Sequence, residues 1–132
     1  KLYLTNRTIE KSMLMESYWK NFAKKHSVLL KVSDIHGADS CHYDVIINAT
    51  SAGFSSDKSP IEDKMINRET FCYDMTYGRE TPFMRQAIKI HAKTFDGLGM
   101  LVEQAAESFH IWHNKRPKTN NIRNELQLLG LI

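Results

Sequence analysis

The densest group of residues able to do chemistry lies late in the chain, at Asp96-Gly97-Leu98-Gly99-Met100-Leu101-Val102-Glu103-Gln104. Two glycines follow a short extended segment and open a helix. They let backbone approach a neighbour closely where the first helical amides lack intrahelical partners. Gln104, one turn in, offers a donor and an acceptor. A packed helix with a polar amide near its exposed start has the character of a binding site on a rigid element. The match to Gly-x-Gly-x-x-Gly is incomplete, because Val102 stands where the third glycine belongs. The motif also comes after several strand-like segments, whereas a dinucleotide-phosphate loop follows the first strand. A tight strand-to-helix turn explains the same residues.

Three earlier groups have comparable potential. Asn6-Arg7-Thr8 ends a strand and precedes a helix. In a nucleotide-binding sheet an acidic residue at such a place holds the ribose 2′-hydroxyl, and Arg instead accommodates a 2′-phosphate. Arg7 offers a planar fork for phosphate and can stack on adenine. Thr8 adds a hydroxyl and Lys11 a charge, which points to NADP rather than NAD; the alternative is an exposed Arg in a capped turn. Asn48-Ala49-Thr50-Ser51-Ala52-Gly53 leaves a strand with small side chains and room for a flat ligand, or forms a hydroxyl-bonded turn. Met75-Thr76-Tyr77 ends a further strand.

Other chemistries find less support. Six histidines raise a metal site, but His110 and His113, three apart on one helix, have no carboxylate or thiolate to complete a ligand set. Asp74 and Asp96 suggest an acid/base pair, although Asp at a strand end more often caps or turns. Ser51 is not in a Gly-x-Ser-x-Gly elbow.

The elements that must position these residues alternate. Strands are expected at Leu2–Thr5, Val28–Val32, Tyr43–Asn48, Phe71–Met75 and Thr94–Asp96. The third is apolar enough to be buried on both faces. A helix capped by Thr8 runs from Ile9 to about Lys25 and is expected to bury Met15, Trp19, Phe22 and Ala23. Thr81-Pro82, a cap followed by Pro at the first helical position, opens a helix to about Ala92. The helix after Gly97 reaches about His113, with an apolar stripe at Leu98, Leu101, Val102, Ala105, Phe109 and Trp112. Pro117 and Asn120-Asn121 break the chain, and 122–129 forms a short helix. This alternation predicts an α/β fold with a parallel sheet, whose ligands gather at the carboxyl ends of strands. All four polar groups fall there.

The totals fit one globular domain: 132 residues, 42% hydrophobic and 25% charged. A net charge of +3 without a dense basic run does not indicate nucleic acid. Lys24-Lys25 and Lys115-Arg116 read as solvated ends of elements. No apolar run is long enough for a membrane span, and no signal peptide is present. Two cysteines, Cys41 and Cys72, with Cys72 in an apolar run, favour a reduced, cytoplasmic setting. The chain opens directly on a core-like strand at Lys1-Leu2-Tyr3-Leu4-Thr5, which reads as the interior of a longer protein.

Taken in order, Asn6-Arg7-Thr8, Asn48-Ala49-Thr50-Ser51-Ala52-Gly53, Tyr73-Asp74-Met75-Thr76-Tyr77 with Thr81-Pro82-Phe83, and Asp96 to Ala106, followed by Ser108-Phe109, Trp112 and Pro117, resemble the C-terminal half of the shikimate dehydrogenase family. The resemblance covers Asn6 to Pro117. It implies a Rossmann-like NADP-binding domain in an oxidoreductase that reduces 3-dehydroshikimate to shikimate with NADPH, in aromatic amino-acid biosynthesis. By position it implies that Asn6, Arg7, Thr8 and Lys11 hold the adenosine 2′-phosphate end. Met75 and Gly97 would line the nicotinamide, with Met100 beside them and Thr50 also at the cofactor. Tyr77 and Gln104 would reach shikimate. A quinate-accepting relative, or a non-catalytic nucleotide-binding or assembly module, would share these features.

The family's catalytic Lys and Asp, its substrate domain, and the first strand and glycine-rich loop of the cofactor domain all precede the matching region. No catalytic residue is therefore expected within 1–132, and the chain alone is expected to be inactive and to bind NADP weakly at best. In the strand order 3-2-1-4-5-6 the absent strand is central. Its absence predicts open edges at Leu2–Thr5 and Tyr43–Asn48. Closure is expected through homodimerisation, strand exchange, or a collapsed order in which those two strands meet.

Overall fold

The computed structural model describes residues 1–35, 43–52 and 57–130. Gly53 and Cys41 lie outside them. The chain divides into two compact units, Lys1–Cys41 and His42–Ile132.

The first unit is a single β-α-β crossover. β1 (Leu2–Asn6) and β2 (Leu30–Asp34) pair in parallel, from Leu2 opposite Leu30 to Asn6 opposite Asp34, and α1 (Ile9–Lys25) packs on both. Ser12 and Ala23 are the buried residues of α1. Met15, Trp19 and Phe22, expected in the core with Ala23, are instead about half exposed. Met15 and Phe22 lie about 60–80° around the helix from Ser12, to one side of the buried line through Ser12 and Ala23. Trp19 and Phe22 meet edge to face, with ring centroids 5.7 Å apart.

In the second unit β3 (Val45–Asn48), β4 (Phe71–Asp74) and β5 (Lys93–Phe95) form a parallel sheet in that order. Runs such as Val45-Ile46-Ile47 and Phe71-Cys72-Tyr73 suit a pleated surface. A short 3-10 turn at Asp63–Met65 precedes β4. α2 (Pro82–Lys89) packs on β4 and β5. Phe83 and Ala87 from this helix meet Ile66 and Cys72 in the core, with Ile46, Ile61, Ile90 and Ala92 around them. Thr81 caps α2 through its side chain, accepting from the Met84 amide at 3.2 Å, and Pro82 stands at the first helical position, both as expected. The helix stops three residues short of the expected Ala92, because His91 takes a left-handed φ of 62° and turns the chain into β5.

Burial of β3 on both faces is not found. Ile46 is half-buried and Asn48 buried, while Val45 and Ile47 on the opposite face are exposed. Phe95 shares that exposure and stacks on Phe71 at 4.5 Å. β1 has one ladder, to β2, and β3 has one, to β4, so each keeps an open edge among the described residues.

α3 (Leu98–His113) buries only Leu98 and Ala106. Of the expected stripe, Leu101, Ala105, Phe109 and Trp112 are exposed, Trp112 to 74%. Asn114 closes α3 with a left-handed φ of 51°. α4 (Ile122–Leu128) contacts α3 and buries no residue of its own.

Candidate functional site

The carboxyl ends of β3 and β4 form a cavity in the second unit. Ala49, Thr50, Met75, Thr76 and Tyr77 line it, and its volume is about 440 Å³. Thr50, Met75 and Tyr77, singled out from the sequence, thus share one wall; Ala49 and Thr76 join them.

A buried carboxylate holds this wall together. Asp74, with no exposed surface, accepts from Asn48 Nδ2 at 3.0 Å, from Thr81 Oγ1 at 2.6 Å and from the Thr76 amide at 2.9 Å. A buried polar group is tolerated when its hydrogen bonds are so satisfied. Asn48 in turn accepts from the Thr50 amide at 3.1 Å and from Thr50 Oγ1 at 2.7 Å. The network ties the β3 exit to the β4 exit and to the α2 cap. Asp74 therefore positions and turns backbone, the alternative weighed against an acid/base role. The small polar residues after β3 form the hydroxyl-bonded turn, since Thr50 Oγ1 also accepts from the Ala52 amide at 3.1 Å.

Gly97 is buried against the same wall. A Cβ there would lie 2.1 Å from the Met75 carbonyl oxygen, and the Gly97 amide donates to the Thr76 carbonyl at 2.9 Å. What approaches this glycine so closely is the protein's own backbone. Gly99 faces open space. Met100, half-buried, and Gln104, exposed, follow in the first two turns of α3. Asp96 Oδ1 accepts from the Leu98 amide at 3.3 Å, which partly caps the helix.

Sequence reasoning missed the segment after α3. Arg116 is not a free solvated end. Its guanidinium bonds Glu103 at 2.6 Å and also pairs with Glu107. Thr119 Oγ1 donates to Glu103 at 2.7 Å. The Thr119 hydroxyl, and then Arg116, hold the Glu103 carboxyl below its ordinary value. Arg123 grips Asp96 with both guanidinium nitrogens, at 3.1 and 2.8 Å, and this bonding raises the Arg123 pKa. The acidic pair Glu103 and Glu107, four apart on one helix face, is the only sequence signal for such a strap.

Asn6, Arg7, Thr8 and Lys11 lie in the first unit, at the carboxyl end of β1 and the start of α1. Thr8 occupies the N-cap position with extended backbone, but its side chain makes no cap bond. The expected hydroxyl cap is replaced by an Asx turn, in which Asn6 Oδ1 accepts from the Thr8 amide at 2.9 Å. Arg7, Thr8 and Lys11 are exposed, and among the described residues neither cation has an ion-pair partner.

Burial raises the Cys72 thiol to about 11, which makes it a core atom and not a nucleophile. No group of three or more metal-ligating side chains occurs among the described residues, and no helix there is long and apolar enough to cross a membrane.

Comparison with known proteins gives a consistent picture. The family model for the shikimate 5′-dehydrogenase C-terminal domain matches residues 97–127, which include α3, the strap and most of α4. Shikimate dehydrogenase (NADP(+)) of Janthinobacterium sp. (strain Marseille) is 42% identical over 96% of the chain and 45% of its own length. The crystal structure of the Ael1 enzyme from Pseudomonas putida superposes with a TM-score of 0.80 at 34% identity, over 96% of this chain and 45% of that one. A shikimate dehydrogenase crystallised in complex with NADP+ gives 0.73 at 29% identity, over 92% and 44%. The chain thus spans less than half the length of the relatives it matches. The Rossmann-like α/β architecture anticipated from the alternation of elements is the architecture of these neighbours. Along nearly its whole length this chain is similar to shikimate dehydrogenases, and over residues 97–127 it matches the model of their C-terminal domain.

Proposed function

We propose that the chain supplies the cofactor-holding part of an NADP-dependent shikimate dehydrogenase, which reduces 3-dehydroshikimate to shikimate in aromatic amino-acid biosynthesis. Residues 1–132 are a partial Rossmann-like domain. The observation that carries this proposal is the cavity at the β3 and β4 exits. Thr50, Met75 and Tyr77 line it, and Gly97 is bonded to Thr76 at its edge.

That cavity suits a flat ring. It is open, its lining residues are uncharged, and the backbone beneath is fixed by the Asp74 network. Thr50, Met75, Gly97 and Met100 take the nicotinamide end. Tyr77 and Gln104 reach toward the hydroxylated substrate with groups that both donate and accept. Asn6, Arg7, Thr8 and Lys11 take the 2′-phosphate, for which two exposed cations at a helix start, without ion-pair partners among the described residues, are well matched. NADPH, where bound, supplies the hydride. The resemblance puts the family's catalytic Lys and Asp ahead of the matching region, and on this reading the 132-residue chain alone is expected to turn over no substrate. The open edges of β1 and β3 favour a homodimer or strand-exchanged oligomer of the chain. The proposed setting is the cytoplasm, where a reduced Cys72 is at home.

Titration of the chain with NADPH and NADH tests the assignment. Arg7→Glu is expected to weaken NADPH about tenfold or more, the value of a charge-assisted contact, and to leave NADH unchanged. Equal loss for both cofactors, or none for either, removes Arg7 from the site.

A further inference from the structure

α4 buries no residue, yet it is held in one place on the second unit. Its apolar residues Ile122 and Leu126 are only half-buried. The strap before it is buckled to α3 through Arg116 and Thr119 on Glu103, and the helix itself reaches Asp96 through Arg123. The last contact joins residues 27 apart in sequence and is bidentate, the geometry in which an Arg–carboxylate pair best resists reorientation. Its two ends differ. The Asp96 side chain is only 14% exposed, whereas Arg123 is 56% exposed.

Asp96 is not an isolated acceptor. The oxygen that receives Arg123 Nη1 at 3.1 Å also receives the Leu98 amide at 3.3 Å. Between them lies Gly97, bonded to Thr76 and with no space toward the Met75 carbonyl. A shift of the Asp96 carboxylate is therefore passed to the first amides of α3 and to the cavity wall. Among the described residues, Arg123 is the cation that satisfies and orients that carboxylate.

We propose that Arg123 is a positioning residue: acting through Asp96, it fixes the turn at Gly97 and so sets how tightly that turn accepts the nicotinamide end of the cofactor. The tuning rests on the proposed role of Gly97; the fixing of the turn does not.

A double-mutant cycle in the 132-residue chain tests both, with Arg123→Gln, Asp96→Asn and the two combined. NADPH affinity is read by fluorescence titration, and the turn by hydrogen exchange at the Leu98 amide. Each single substitution is expected to weaken NADPH about three- to fivefold and to speed Leu98 exchange by a similar factor, the range for a partly exposed pair of good geometry. The double variant is expected to be no worse than either single one. Arg123→Lys, which keeps the charge and loses the fork, restores part of both. Additive effects, or no effect on exchange, overturn the proposal. If the unsubstituted chain fails to bind NADPH, the cofactor assignment and the tuning fall together. The exchange cycle then still decides whether Arg123 fixes the turn.

Discussion

Gly97 and Gly99 are two residues apart, and replacing each by alanine is expected to move stability in opposite directions. The backbone at Gly97, φ −77° and ψ −1°, is open to any residue, so the whole penalty is steric. An added methyl would stand 2.1 Å from the Met75 carbonyl oxygen and 2.6 Å from its carbon. Ordinary contact begins near ~3.4 Å, so turn and strand end must part by roughly 1.3 Å. That separation breaks the bond from the Gly97 amide to the Thr76 carbonyl. Overpacking of this kind costs about 1–3 kcal/mol and the lost bond about 1, giving about 2–4 kcal/mol for Gly97→Ala. Gly99 has nothing within 4 Å and sits inside α3, so Gly99→Ala gains up to about 1 kcal/mol of helix propensity. Urea denaturation followed by far-ultraviolet circular dichroism reads both. At a slope of about 2 kcal/mol per molar, Gly97→Ala lowers the midpoint by roughly 1–2 M, and Gly99→Ala leaves it level or raises it. A Gly97→Ala midpoint within about 0.25 M of the parent, or an equal loss at Gly99, refutes the close-approach reasoning.

Asp74→Ala leaves the Asn48 amide, the Thr81 hydroxyl and the Thr76 amide without their buried acceptor, and is expected to cost about 2–4 kcal/mol in the same assay; Asp74→Asn, which keeps an oxygen there, costs less. In a Cys41→Ser background, Cys72 is expected to resist aromatic disulfide reagents at pH 8 until urea is added, because a thiol at about 11 is thiolate to only about one part in a thousand. Glu103 is expected to titrate below 4.5 by carboxyl-carbon NMR, and Thr119→Val and Arg116→Ala each to return it toward that value. Its folded value lies below its unfolded one, so the strap contact contributes stability above about pH 4.5 and loses it as pH falls through the folded value.

Local chemistry was legible in the sequence where one or two residues decide the outcome. Thr81-Pro82 announced a capped helix start, and the cap bond to Met84 is there. The alternation of β-branched runs with helical periods gave the parallel architecture. Gly97 was legible as a close approach, but the approaching group is Met75, whose identity depends on register between strands rather than on spacing. Met15, Trp19 and Phe22 show the limit most plainly. Their periodicity states which side of α1 calls for cover, and it cannot state whether cover is present. Ile47 on β3 repeats the point for a strand. The Arg116 and Arg123 contacts were invisible for another reason. Long flexible side chains meet acids 13 and 27 residues away across an irregular connection, and no periodicity encodes such meetings.

The vacant side of β3, flanked by Val45 and Ile47, has a practical corollary. Ladder amides and carbonyls register geometry, not covalent connectivity, so a complementary strand docks equally well whether it is tethered to the same polypeptide or delivered by a separate one. Only the local concentration differs. Co-expression of this chain with a second polypeptide bearing such a strand is therefore expected to give a complex that co-purifies, and its yield reports on docking at that edge.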